Sequence, residues 1–417
     1  MKKYLLLILL TLSLLLVGCV SSDPIKSTPS DGLLTNELTV GEMKKDLKLY
    51  SKYVKEKHAD FDHQISEDEF DEEIKAIRNN LDDMTSDEFV FAIMKLHSKL
   101  GDGNSFTILD DARLVNRKYL PFDVKKFAEG YIITKIEETH KDYLGYELKA
   151  IDSTSFEDVI AKLSQYVEGD TVEAKKYNAL SLVNFYDVLY NAGIVSSKYA
   201  QLTLAKGEEE VKVSVEFYNN KDYSKVKFAE SAAALYSEKK DDYYSYSLVD
   251  KAVYIQVNYC YNMTNKSIKD FAQELKDFLK INIHKYAVLD LRYNIGGVQD
   301  AIFPIISVLK DFTKEGGNVT VLIGKGTKGI GIINAMYIAN NEIGTLIGEN
   351  TGGVTNFYGI RSSMVLPKSQ LTIVVPTKFQ EYFVNQTPIT LKPSFTIEQS
   401  YEDYVQGIDS LVKYATK

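Results

Sequence analysis

Reactive chemistry in this chain is most legible between residues 286 and 359. Arg292-Tyr-Asn-Ile-Gly-Gly297 sets two adjacent glycines after the mostly apolar run Tyr286–Leu291. Such a run is expected of a strand buried on both faces, and a glycine pair at its end can turn backbone N–H groups toward a ligand. A second segment follows: Val319–Gly324, a glycine-rich turn at Lys325–Gly331, a helical pattern from Ile332, then Thr345-Leu-Ile-Gly-Glu-Asn-Thr-Gly-Gly353. Backbone donors of this kind suit a carboxylate or the oxyanion of an acyl transfer, but hydrolysis also needs a nucleophile and a base. Cys19 and Cys260 are the only cysteines, and the histidines stand at 58, 63, 97, 140 and 284. Only His58 and His63 are close in sequence, without the usual zinc-ligand spacing, so neither a metal nor another cofactor is expected.

Leu289-Asp-Leu-Arg-Tyr-Asn-Ile-Gly-Gly297 resembles the Leu-Asp-Leu-Arg-Asn-Asn-x-Gly-Gly signature of the tail-specific (C-terminal-processing) serine proteases. Leu346-Ile-Gly-Glu-Asn-Thr-Gly-Gly353 is similar to their Gly-Glu-x-Thr-x-Gly segment. The resemblance covers most of residues 35–417 and implies an oxyanion hole formed around Gly296, Gly297 and Ile330. It also implies a serine in the turn between the two segments, a histidine in an upstream Gly-Asp-x-His-Thr motif, and often a lysine after the second glycine segment. Aligned by Thr327, Asn334-Ala335 and Gly348-Glu349, the nucleophile position falls on Gly329, or on Ile330 if the turn slips by one. The upstream motif reads Gly101-Asp-Gly-Asn-Ser105, with Asn104 in the histidine position, and the lysine position falls on Val354.

An amide cannot take up a proton near neutral pH, and neither glycine nor isoleucine can attack a carbonyl. In a serine hydrolase, loss of the nucleophile costs about 10⁶-fold in kcat, whereas an oxyanion hole alone leaves roughly 10³–10⁴ over water. Replacement in three separate motifs implies an inactive homologue whose cleft holds a peptide, a protein C-terminus or a cell-wall fragment. Two alternatives stand beside it. One is an active serine-type endopeptidase with a displaced nucleophile, for which Ser105, Thr327 and Cys260 are the candidates. The other is a purely structural lipoprotein.

The alternation of strand, turn and helix after residue 251 predicts an α/β core of parallel strands with crossover helices and a ligand crevice at their carboxyl ends. This protease core, residues 251–417, begins with Val253–Asn258 and continues through an amphipathic helix at Ser267–Leu279. Ser400–Val412 resembles the closing helix. Residues 39–118 read as helical: Val40–Lys57, Glu67–Leu81 behind a Ser66/Glu69 capping box, and Phe89–Leu100 behind Thr85/Glu88. Residues 119–217 resemble a small PDZ-like β-rich region, with Leu144-Gly145 present and Ile151-Asp-Ser153 in place of Ile-Asn-Gly. A polar, tyrosine-rich connection, 218–250, leads into the core.

A chain of 417 residues with 45% apolar and 26% charged side chains has room for two or three ordinary soluble domains. A net charge of −9 argues against a nucleic-acid partner, which needs a basic surface. Residues 1–18 read as a signal peptide: Met1-Lys-Lys, then apolar Tyr4–Val17, too short for a membrane span. Leu16-Val-Gly-Cys19 resembles the bacterial lipobox, which implies diacylation of Cys19, palmitate included, and anchoring to the extracytoplasmic face of the cell membrane. Residues 19–38 read as a flexible tether.

Overall fold

The computed structural model describes residues 37–109, 117–231, 241–281 and 285–417; the leader, Cys19 and nearly all of the tether lie outside them. The chain forms two compact units. One comprises the described residues up to Lys125 with Tyr131–Glu230 and Tyr358–Gln380, and the other Lys126–Gly130, Ser231–Phe357 and Glu381–Lys417.

The first unit opens with helices Val40–Lys57, Glu67–Asn79 and Ser86–Ser98, each started by a full capping box, at Thr39/Glu42, Ser66/Glu69 and Thr85/Glu88. Each box satisfies backbone N–H groups that the first turn leaves unpaired. The third helix starts three residues before its apolar run, because Thr85 as cap makes Ser86 the first helical residue. Leu47, Tyr50, Phe70, Phe89 and Leu96 face the core. A sheet follows in the order Phe228–Glu230, Gly130–Glu137, Glu147–Ile151, Tyr199–Lys206, Glu209–Glu216, with helix Phe156–Leu163 capped by Ser155. Phe106–Ile108, Thr372–Gln380 and Phe357–Val365 form a separate three-stranded sheet.

The second unit is built on six strands: β1 (Tyr244–Val249), β2 (Ala252–Val257), β3 (Tyr286–Asp290), β4 (Asn318–Ile323), β5 (Thr345–Gly348) and β6 (Phe395–Thr396), paired in that order. From β2 to β6 every pairing is parallel. Helices Ile268–Ile281, Phe303–Lys314 and Ile330–Asn340 make the crossovers from β2 through β5. The expected α/β core is therefore present. Leu289, Val321 and Leu346 share a register and are buried, as in a sheet covered on both faces.

Two elements differ from the sequence expectation. The tyrosine-rich stretch contains β1, antiparallel to β2, with Tyr244 and Tyr246 packed on Phe271 and Phe278 of the first crossover helix. Tyr244 and Tyr246 thus share one face of a strand. The closing helix is two short helices, Tyr401–Val405 and Ser410–Ala415, separated at Gly407, whose φ of +71° ends the first. No described helix is long and apolar enough to cross a membrane.

Candidate functional site

In the second unit the Asp-Leu-Arg segment is a clamp. Asp290 accepts from the Arg292 backbone N–H at 2.8 Å, from the guanidinium Nη2 at 2.6 Å and from the Tyr254 hydroxyl at 2.5 Å. The same guanidinium donates to Asp409, which accepts from the N–H groups of Leu411 and Val412 and so caps the last helix. Burial alone would lower the Arg292 pKa, but the two carboxylates hold it well above its ordinary value. This charge network is spent on fastening the C-terminal helix to the end of β3.

Asn294 is the hub of the glycine turn. Its Nδ2 donates to the Val257 carbonyl at 2.9 Å, its Oδ1 accepts from Gly296 N–H at 2.9 Å, and its carbonyl accepts from Lys328 N–H at 2.8 Å. A Cβ on Gly331 would stand 2.6 Å from Asn294 Oδ1, so only glycine lets the following helix approach this closely. Gly296 (φ +100°) lies against the same helix start: a Cβ there would be 2.9 Å from the Ile330 nitrogen. Gly329, at φ +52°, ψ −128°, is the N-cap residue of helix Ile330–Asn340, which begins two residues before the sequence pattern suggests. Among the described residues no protein group accepts from the N–H of Gly297 or of Ile330. The second glycine segment closes on the same loop: a Cβ on Gly352 would stand 1.9 Å from the Lys325 carbonyl oxygen, Gly353 N–H donates to the Thr327 carbonyl at 3.3 Å, and Val354 is buried. Gly296, Gly329, Ile330 and the Gly352–Val354 segment are thus gathered at the carboxyl ends of β3, β4 and β5.

Asn104 belongs to the other unit. Its Nδ2 donates to the Tyr358 carbonyl at 2.7 Å and its N–H to Asp102 at 2.7 Å. Beside it lies a histidine that sequence reasoning left without a role. His58, at the end of the first helix, pairs through Nε2 with Asp102 Oδ2 at 3.0 Å, and its Nδ1 accepts from Asp60 N–H at 3.0 Å. Asp102 also accepts from the Ser105 hydroxyl at 2.5 Å. Burial pushes the Asp102 carboxyl up, but the bonds from His58 and Ser105 more than offset it and hold the group below its ordinary pKa. Both ring nitrogens of His58 are thus occupied, Nε2 in locking the 101–105 loop through Asp102 and Nδ1 on the adjacent turn at Asp60. Residues 58 and 102 are 44 positions apart, and no local spacing announces the pair.

Each displaced-nucleophile candidate is buried. Ser105 is bonded to Asp102; the Thr327 hydroxyl donates to the Leu291 carbonyl and accepts from Gly324 N–H. Cys260 receives the amides of Asn294 and Asn334 at 3.6 and 3.5 Å, and burial pushes its thiol up to about 11. A thiol so raised is a poor nucleophile at neutral pH.

No family profile and no curated protein matches this sequence. Among solved structures, mature CPAF complexed with lactacystin superposes with a TM-score of 0.62 at 12% identity, covering 90% of this chain and 98% of that one. A second structure of mature CPAF gives 0.61 at 12%, covering 89% and 96%. The photosystem II D1 C-terminal processing protease matches at a TM-score of 0.40 and 12% identity, over 89% and 99%. The chain has the tail-specific protease fold. Identities this low carry the fold alone.

Proposed function

We propose that this chain is a membrane-anchored, extracytoplasmic binding protein on the tail-specific protease fold, which holds a peptide or protein C-terminus without cleaving it. The observation that carries the reading is Gly329. It stands where the resemblance puts the nucleophile, next in the chain to Ile330, whose N–H, like that of Gly297, has no protein acceptor among the described residues. Such donors bind a carboxylate as readily as they bind an oxyanion. With Ser105, Thr327 and Cys260 all buried and bonded, the displaced-nucleophile reading has no observation in its favour.

A fluorophosphonate serine probe and an unfolded protein substrate test this on the purified full chain in detergent. The expected result is neither labelling nor cleavage. Robust cleavage that disappears in Ser105→Ala or Cys260→Ala sinks the inactive reading.

A further inference from the structure

The wall beside the vacated position is aromatic. A Cβ on Gly329 would lie 3.7 Å from Phe357 Cζ and 3.9 Å from its Cε2. Glycine at 329 therefore does more than remove a nucleophile: it leaves that ring edge without the side chain that any other residue would set against it. Tyr382 stacks on Phe357, ring centroids 5.8 Å apart and planes 26° from parallel. The pair is held by Asn356, which is buried next to Phe357 in the chain. Its Oδ1 accepts from the N–H groups of Tyr382 and Phe383 at 2.9 and 3.0 Å, and its Nδ2 donates to the carbonyls of Phe383 and Gln386 at 2.8 and 3.0 Å. All the donors and both acceptor sites of that amide are used on one stretch of chain. A fully satisfied buried amide fixes geometry, and here it sets the Tyr382 ring against Phe357.

We propose that Phe357 and Tyr382 form a preset aromatic wall that selects ligands carrying an aromatic side chain on the C-terminal residue. The inference rests on the reading that this cleft takes a terminal carboxylate. With the carboxylate on the Ile330 N–H, which directly follows Gly329 in the chain, the side chain of the same residue is set toward the Gly329–Phe357 gap. An aromatic ring fills it by offset or edge-to-face contact, while a methyl group leaves it unfilled. Preorganisation limits the ordering cost on the protein side.

The test is calorimetric titration of the full chain in detergent with three probes: acetyl-Ala-Ala-Phe and acetyl-Ala-Ala-Ala as free acids, and acetyl-Ala-Ala-Phe amide. The expected result is about tenfold or greater preference for the Phe acid over the Ala acid. In Phe357→Leu and, separately, Tyr382→Leu that ratio falls toward one, in variants whose circular dichroism matches wild type. Equal binding of the two acids by wild type, both tighter than the amide, overturns the aromatic wall and leaves the carboxylate reading intact. Equal binding of Phe acid and Phe amide, both tighter than the Ala acid, supports the wall and removes the carboxylate. Binding of none of the three overturns both.

Discussion

At the scale of single residues, the site is set by close approaches that only glycine permits. Gly331 lies at a helix start where an added methyl would meet both Asn294 Oδ1 and the Asn294 carbonyl, at 2.6 and 2.8 Å. Neither atom can yield without breaking the hub that ties β2, the glycine turn and the 324–329 loop together. Gly331→Ala is expected to cost about 1–3 kcal/mol of stability in urea denaturation. Gly41, in the first helix with open space around it, is the control: alanine there is expected to be neutral or to stabilise by about 0.5–1 kcal/mol. The glycine pair was legible because it falls inside a short motif. Asn294 stood in the same motif, yet its role was hidden, because its partners are set by tertiary approach rather than by spacing.

A buried histidine gives a second test at this scale. His97 Nε2 donates to the Val374 carbonyl at 2.9 Å, which leaves Nδ1 to face the Tyr50 hydroxyl at 3.4 Å as an acceptor. Burial lowers its pKa to about 4, from an ordinary 6.5. The folded state thus binds a proton less readily than the unfolded one. The stability this neutral ring confers is complete above pH 6.5, is lost as pH falls from 6.5 to 4, and changes no further below that. The loss amounts to roughly 3 kcal/mol for this one group. A His97→Gln variant should show a smaller drop in denaturation midpoint between pH 7 and 4 than wild type. Equal drops would show that the acid sensitivity belongs to other groups.

At the scale of elements, capping boxes were the most reliable signal. Their two partners are three residues apart and compete with nothing distant, so the second and third N-terminal helices were legible from Ser66/Glu69 and Thr85/Glu88 with small shifts at their ends, while Val40–Lys57 was legible from its apolar spacing and its own box, Thr39/Glu42, was missed. The parallel core strands were legible as apolar runs, each followed by a glycine turn. β1 was not, because serines and tyrosines alternate there and only the burial of Tyr244 and Tyr246 on a helix reveals the period of two. The break at Gly407 was missed because a helical pattern on both sides conceals one left-handed residue. What holds the second short helix is the Arg292–Asp409 pair. Arg292→Met removes the cation and leaves Asp290 and Asp409 buried beside each other's charge. The expected cost is about 3–5 kcal/mol, read as a lowered urea midpoint. A loss below about 1 kcal/mol would mean that the clamp is not needed to hold the terminus.

At the scale of the whole molecule, the fold was legible because a small number of glycine motifs recur at the ends of parallel strands. The position of the chain in the cell rests on a different stretch. Leu16-Val-Gly-Cys19 follows an apolar segment with a basic start, and a polar run of some twenty residues then leads to the first helix at Val40. Cys19 lies outside the described residues, so its acylation is a proposal with its own chemistry. Each buried methylene of an acyl chain contributes about 0.8 kcal/mol, so one chain holds a protein only marginally, whereas two hold it stably. Metabolic labelling with palmitate should mark the wild type and leave Cys19→Ala unmarked. Fractionation should move Cys19→Ala out of the stably anchored membrane pool. If the wild type takes up no palmitate and the variant still sediments with membranes, the chain is held by something other than lipid, and a ligand captured at the membrane surface loses its physical basis.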